Sequence, residues 1–379
     1  MFCVNEDAPE LKTLHPMAGR IDAPIRHGQV ARTIPPIPAS AFFVVATIAT
    51  DGSDDRRVSL LDELVDSDFV KISRSSDLDH FRSIEGLGEA NSIPIDCRDF
   101  AASFASLRLK TCTIYLQRTF PRILQMQYST TGAIVGLMMD DAASLILNGM
   151  EARAPAFLLV KGRAKCEIVE QQANLVALIN FNSVDDRGWP GEPDRAQVVA
   201  TEAGKFSALR TMLHDVLMLA SHSPDTLVQP DVIGSIEESI LQAADLAMAA
   251  ALPVSEARRL SLSHYLSLVR KFDEFVAANA GRTLYSADVA RQLGVSVRTL
   301  HNAVVSIRGM SMHRYMRLRR LWSVRQQLLR DASRQSIKAI ALVNGFWHMG
   351  EFSTLYRELF GETPQQTLAV ARQRTGEPS

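Results

Sequence analysis

Cysteine is scarce in this 379-residue chain: Cys3, Cys97, Cys112 and Cys166 lie far apart, with neither a CxxC pair nor zinc-like spacing. That excludes a disulfide framework and a zinc-stapled fold, and leaves reduced, structural thiols. Long apolar runs are also missing. The stretch Ala41–Ala49 is about nine residues, against the ~20 that a membrane-spanning helix needs. It has no basic flank and no secretory cleavage pattern, so the expectation is a chain without a signal peptide that stays in the cytoplasm and off the membrane. Histidine is absent between His80 and His214, which denies that region the usual imidazole ligands and argues against a metal-dependent enzyme. No GxSxG elbow, GxxxxGK[ST] loop or HExxH helix occurs, and Gly204-Lys205 lacks the preceding glycine of a phosphate loop. The expectation is no enzyme, no cofactor and no metal.

What the chain has is ordinary globular composition, 46% hydrophobic and 22% charged, at a length that suits two domains. Its net charge of −1 conceals a split. Residues 255–379 hold 19 Lys/Arg and 9 Asp/Glu, while residues 1–254 hold 22 and 33. One end therefore suits a polyanionic partner and the other does not.

Residues 1–40 carry Pro9, Pro16, Pro24, Pro35, Pro36 and Pro38 with little periodicity, and read as a loose tail or an over-extended start. A β-rich region follows over about 60–183. Its short β-like runs are Thr111–Leu116, Ile123–Tyr128, Ala133–Met139, Ser144–Leu147, Ala156–Val160, Lys165–Val169 and Leu175–Phe181. Gly132, Asp140-Asp141, Asn148-Gly149 and Gly162 stand between them as turn signals. Such even spacing predicts a β-barrel or jelly-roll-like sandwich, closed by the loop from Asp185 to Gly191. Amphipathic helices are expected over 205–221 and 230–251. They either cover the barrel edge or dimerise, or do both. Leu252-Pro253-Val254-Ser255 reads as an interdomain joint, giving a domain at 41–252 and another at 261–370.

The second domain is helical and repeats at an offset of 51–52 residues. Ala290, Gly294, Leu300, Val304, Ile307 and Gly309 correspond to Ala341, Gly345, Phe352, Tyr356, Leu359 and Gly361. Each copy fits a helix-turn-helix. Ala290 is small where helices cross, Gly294 supplies a left-handed turn, and Ser296 caps the next helix. With Leu300 and Val304 inward, Arg298, Thr299, His301 and Asn302 remain for base edges. In the second copy Phe352, Leu355 and Tyr356 point inward, leaving Met349, Gly350, Glu351 and Thr354. The 19-residue stretch Met312–Arg330 between the copies is about 28 Å long as a helix. That is close to the ~34 Å between major-groove faces on one side of B-DNA. Its Arg314, Arg317, Arg319, Arg320 and Arg325 suit phosphate contact, as does Arg357 beyond it.

These residues resemble the AraC/XylS family of bacterial regulators over about Leu262–Leu368. The closing segments Gly345-Phe346-Trp347-His348-Met349-Gly350-Glu351-Phe352 and Leu359-Phe360-Gly361-Glu362-Thr363-Pro364 are similar to the ethanolamine-regulator type. The resemblance implies a seven-helix DNA-binding domain with two recognition helices behind a cupin-like sensor that also dimerises. It implies an activator that meets an operator duplex, RNA polymerase and a small-molecule effector. Arg298, His301 and Asn302 map to the first recognition helix; Met349, Gly350, Glu351 and Thr354 map to the second. Two positions depart from the pattern. Met312 replaces a common proline at the start of the linker helix, and Glu351 replaces a common basic residue, so it either reads cytosine N4 or repels phosphate. Two other readings stay open. Cys112 or Cys166 could be reactive in a DNA-repair or redox protein, and the helical domain could be an adaptor for protein.

Overall fold

The computed structural model describes residues 59–375 except 77, 79–86, 99, 186, 253–255, 280–283 and 331–335. The proline-bearing segment 1–40, the apolar run at 41–49 and the expected joint at 253–255 lie outside the described residues. Arg57–Ser379 form one compact unit.

A single turn, α1 (Leu60–Glu63), leads into ten strands: β1 (Val70–Ser75), β2 (Gly88–Pro94), β3 (Ala102–Arg108), β4 (Cys112–Arg118), β5 (Arg122–Met138), β6 (Ser144–Leu147), β7 (Met150–Arg153), β8 (Ala156–Glu170), β9 (Leu175–Phe181) and β10 (Arg195–Ala200). All pairings are antiparallel. They run in the order β1-β3-β4-β9-β5-β8-β6-β7, with β10 beside β8 and β2 beside β5.

The helices follow: α2 (Ala203–His222), α3 (Pro230–Ala249), α4 (Glu256–Ala278), α5 (Ser286–Gln292), α6 (Val297–Arg308), α7 (Met312–Arg330), α8 (Ile337–Val343), α9 (Met349–Phe360) and α10 (Pro364–Thr375). The chain is thus an antiparallel β-sheet part followed by a helical part, as expected.

Alternation along the strands explains the layers. Leu175, Ala177, Ile179 and Phe181 of β9 face one core, which includes Phe206, Leu209, Leu213 and Leu217 of α2 and Ile240 and Ala244 of α3. Val176 and Leu178, one residue out of phase, face a second core with Ile134, Leu158 and Val160. Strands buried on both faces read as continuous apolar runs. The two helices do cover the sheet.

Two sequence expectations fail here. The turns expected at Gly132 and Gly162 are absent, because β5 and β8 stay paired through them. A register shift between Ser129 and Ala133 bends the ladder instead, so that the first half of β5 pairs with β2 and the second with β9. The loop from Asp185 to Gly191 does not close the sheet, since β10 follows it and pairs with β8. Strands β1 and β2 carry few apolar residues and sit partly exposed, so they gave no period-2 signal.

The core of the helical part runs on into the sheet. Ile93, Ile95, Ile123 and Val169 pack with Leu268, Phe272, Leu300 and Val304. Across that contact lies a buried charge cluster. Arg308, the last residue of α6, is fully buried and ion-paired to Glu167 of β8. Its other guanidinium nitrogen is 2.6 Å from an Asp273 carboxylate oxygen on α4. The Tyr315 hydroxyl donates to Asp273 at 2.7 Å. Arg270 lies 3.5 Å from Glu167 and Arg319 lies 3.6 Å from Asp273. Burial pushes the Asp273 carboxyl up to about 6, against the pull of Arg319 and the Tyr315 hydroxyl.

Removing the cation from such a site takes from two buried carboxylates the partner they share. Arg308→Met is therefore expected to lower unfolding stability by about 3–5 kcal/mol in urea melts. The exposed Arg291→Ala should stay within about 0.5 kcal/mol. Equal effects would show that the cluster holds nothing together.

Candidate DNA interface

The duplication seen in the sequence is a duplication of hydrogen bonds. At the end of α5, Val295 N–H donates to the Ala290 carbonyl at 3.0 Å and Gly294 N–H to Arg291 at 3.1 Å. At the end of α8, Phe346 N–H donates to Ala341 at 3.0 Å and Gly345 N–H to Leu342 at 3.0 Å. Both glycines are left-handed, with φ of 68° and 80°. This six-to-one plus five-to-two pattern stops a helix and turns the chain, and a Cβ at the glycine would strain it. Ala290 and Ala341 are buried at the crossings.

Helix α6 starts where Ser296 Oγ accepts the Thr299 N–H at 3.0 Å. Leu300, Ala303, Val304 and Ile307 are buried, while Arg298, His301 and Asn302 are exposed and Thr299 is half-buried. In α9, Phe352, Tyr356, Leu359 and Phe360 are buried. Gly350, Glu351, Thr354 and Arg357 are exposed, and Met349 is half-buried against the core. Thr354 Oγ1 donates back to the Gly350 carbonyl at 3.1 Å. Each second helix therefore has a seated face and a bare one, the bare face carrying the residues expected at base edges.

Helix α7 begins at Met312 despite the missing proline. Arg314 is exposed and Arg317 half-buried. Three other α7 arginines expected at phosphate are committed to the fold. Arg325 is buried, paired with Glu362 and over the Phe360 ring. Arg320 lies over Phe346, and the Arg319 side chain is largely enclosed beside Asp273 and Tyr315. A basic residue looks the same in sequence whether it meets phosphate or a buried carboxylate. Arg308 was missed for the same reason: in α6 alone it is an ordinary cation at a helix C-terminus, and its partners lie on β8 and α4.

Residues 289–369 match a family model described as a helix-turn-helix domain. The chain is similar to a probable thc operon regulatory protein of Rhodococcus erythropolis, with 34% identity over 102 residues, 27% of this chain and 31% of that one. It is also similar to a XylDLEGF operon transcriptional activator of Pseudomonas putida, with 37% identity over 97 residues, 25% of this chain and 30% of that one. The structure of a probable AraC family transcriptional regulator from Rhodopseudomonas palustris matches at 32% identity over 30% of this chain and 99% of that one, with a TM-score of 0.26. The helix-turn-helix domain of this chain is of the AraC/XylS type. The structure of ToxT from Vibrio cholerae matches at 14% identity over 69% of this chain and 98% of that one, with a TM-score of 0.26. The chain spans about a third of the length of the curated relatives it matches.

Two of the thiols, those of Cys112 and Cys166, lie on β4 and β8. Cys112 and Cys166 are buried on strands, and burial pushes both thiols up to about 12. No group of three or more His, Cys, Asp or Glu suited to a metal ion occurs among the described residues.

Two outcomes follow. Ser296→Ala is expected to cost about 1 kcal/mol of stability, read from denaturant melts, because the Thr299 N–H loses its acceptor. In the native protein at pH 8, Cys112 and Cys166 should stay unlabelled by iodoacetamide over the time in which a urea-unfolded sample reacts fully; prompt native labelling of either would reopen the reactive-cysteine reading.

Proposed function

We propose that this protein is a sequence-specific, DNA-binding transcription regulator, an activator working in the cytoplasm as a homodimer with RNA polymerase and an operator duplex as partners. The observation that carries it is the paired construction just described. Two helices with the same turn, the same buried register and bare outer faces, joined by one 19-residue helix, suit adjacent major grooves. Arg298, His301 and Asn302 on α6, and Glu351 and Thr354 on α9, are then the base-reading groups, while Arg314, Arg317 and Arg357 meet phosphate. The excess of cations after residue 255 supports the same reading.

A small-molecule effector has a natural berth. A cleft of about 930 Å³ opens between the sheet, through Ile93, Met126 and Cys166, and the helical part, through Arg270, Met316 and Trp322. It borders Glu167 and Asp273, the residues that hold Arg308. A ligand there with different affinities for two arrangements of sheet and helices would change how α6 is held. The regulator reading includes no catalytic step.

Selection of bound sequences from a random duplex pool tests the reading. Arg298→Ala or Asn302→Ala should weaken the selected site by about 1–3 kcal/mol and relax one base position. Arg317→Ala should weaken all sequences alike and flatten the salt dependence. Failure to enrich any sequence, or identical behaviour of the two classes of variant, would contradict the assignment.

A further inference from the structure

The sheet part reaches the second recognition helix through the segment after β2. Ile95 and Cys97 are buried, and the Cys97 N–H donates to the Leu359 carbonyl at 2.8 Å, near the end of α9. Gly361, which ends that helix at φ 72°, lies so close that a Cβ there would come within 3.2 Å of the Arg98 Cα. The segment is thereby fixed to α9 by its backbone. The next side chain, Arg98, is 63% exposed. It shares a groove of about 320 Å³ with Ser353, Thr354, Arg357 and Glu358 of α9.

The guanidinium of Arg98 is held in place. Its Nε lies 3.1 Å and 3.2 Å from the two Asp96 carboxylate oxygens and a terminal nitrogen lies 2.5 Å from one of them, while the Arg98 N–H also donates to Asp96 at 3.0 Å. Arg314, at the start of α7, is close enough to act on Asp96 as well. Two guanidiniums, Arg98 from the sheet part and Arg357 from α9, thus line one groove along α9.

A helix lying in a major groove has a phosphate backbone on either side, and duplex DNA carries one charge per ~1.7 Å of its axis. A cation fixed beside the helix, on a backbone that does not belong to it, meets that wall. We propose that Arg98, outside the helix-turn-helix domain, is a DNA-phosphate contact flanking the groove read by α9, with Asp96 as its positioning residue. The proposal rests on the DNA-reading assignment of α9 and adds to it: the sheet part takes a direct share in binding the duplex.

The test is fluorescence anisotropy of the full chain on a labelled mixed-sequence duplex, across about 50–200 mM salt. Arg98→Ala is expected to lose about 0.9 from the slope of log K against log salt, and to weaken binding several-fold at the low-salt end. Arg98→Lys should keep the slope, and Arg357→Ala should lose a similar amount. An unchanged slope for Arg98→Ala while the parent protein binds overturns this proposal alone. Tighter binding by Arg98→Ala also overturns it, since the segment would then be shielding α9 from DNA. No binding by the parent protein overturns the DNA-reading assignment and this proposal together.

Discussion

Arg308 is the residue on which the arrangement of sheet and helices turns. A guanidinium with no exposed surface survives only where carboxylates take the place of water. Glu167 comes from β8 and Asp273 from α4, so satisfying one side chain requires the sheet, α6 and α4 to be assembled together. Breaking the contact leaves three charges to find water at once. The cluster is therefore a poor source of net stability and a strict condition on geometry, and it ends the helix whose other end carries Arg298, His301 and Asn302. Helix α9 is tied to the same sheet part by a different device, the hydrogen bond from Cys97 to Leu359. Helices α6 and α9 thus share one support besides α7.

That shared support explains why the cleft sits where it does. Apolar contact through Ile93, Ile123 and Val169 and the ionic contact through Arg308 leave a space between them that neither fills. Its walls belong to both halves of the chain.

The sequence was legible where the physics is local. Gly294, Gly345 and Ser296 act on backbone groups within a few residues of themselves, and the structure finds each in the role its neighbours implied. The apolar stripe of α2 was equally plain, because burial every third or fourth residue leaves a periodic trace. Legibility ended where partners are distant. The bulge that carries β5 past Gly132 and the left-handed Gly162 within β8 look like turns when only their own residues are seen. Arg319, Arg320 and Arg325 look like phosphate ligands until Asp273, Phe346 and Glu362 are found beside them. Arg98 gave no signal, because what matters is its neighbour on α9.

The central claim is that α6 and α9 are presented together, by α7 and by the sheet, to one face of a duplex. Hydroxyl-radical footprinting of a selected duplex bound by the full chain measures this directly. The account predicts two protected patches on the same face, about 10 base pairs apart. A single patch, or two patches on opposite faces, would contradict it.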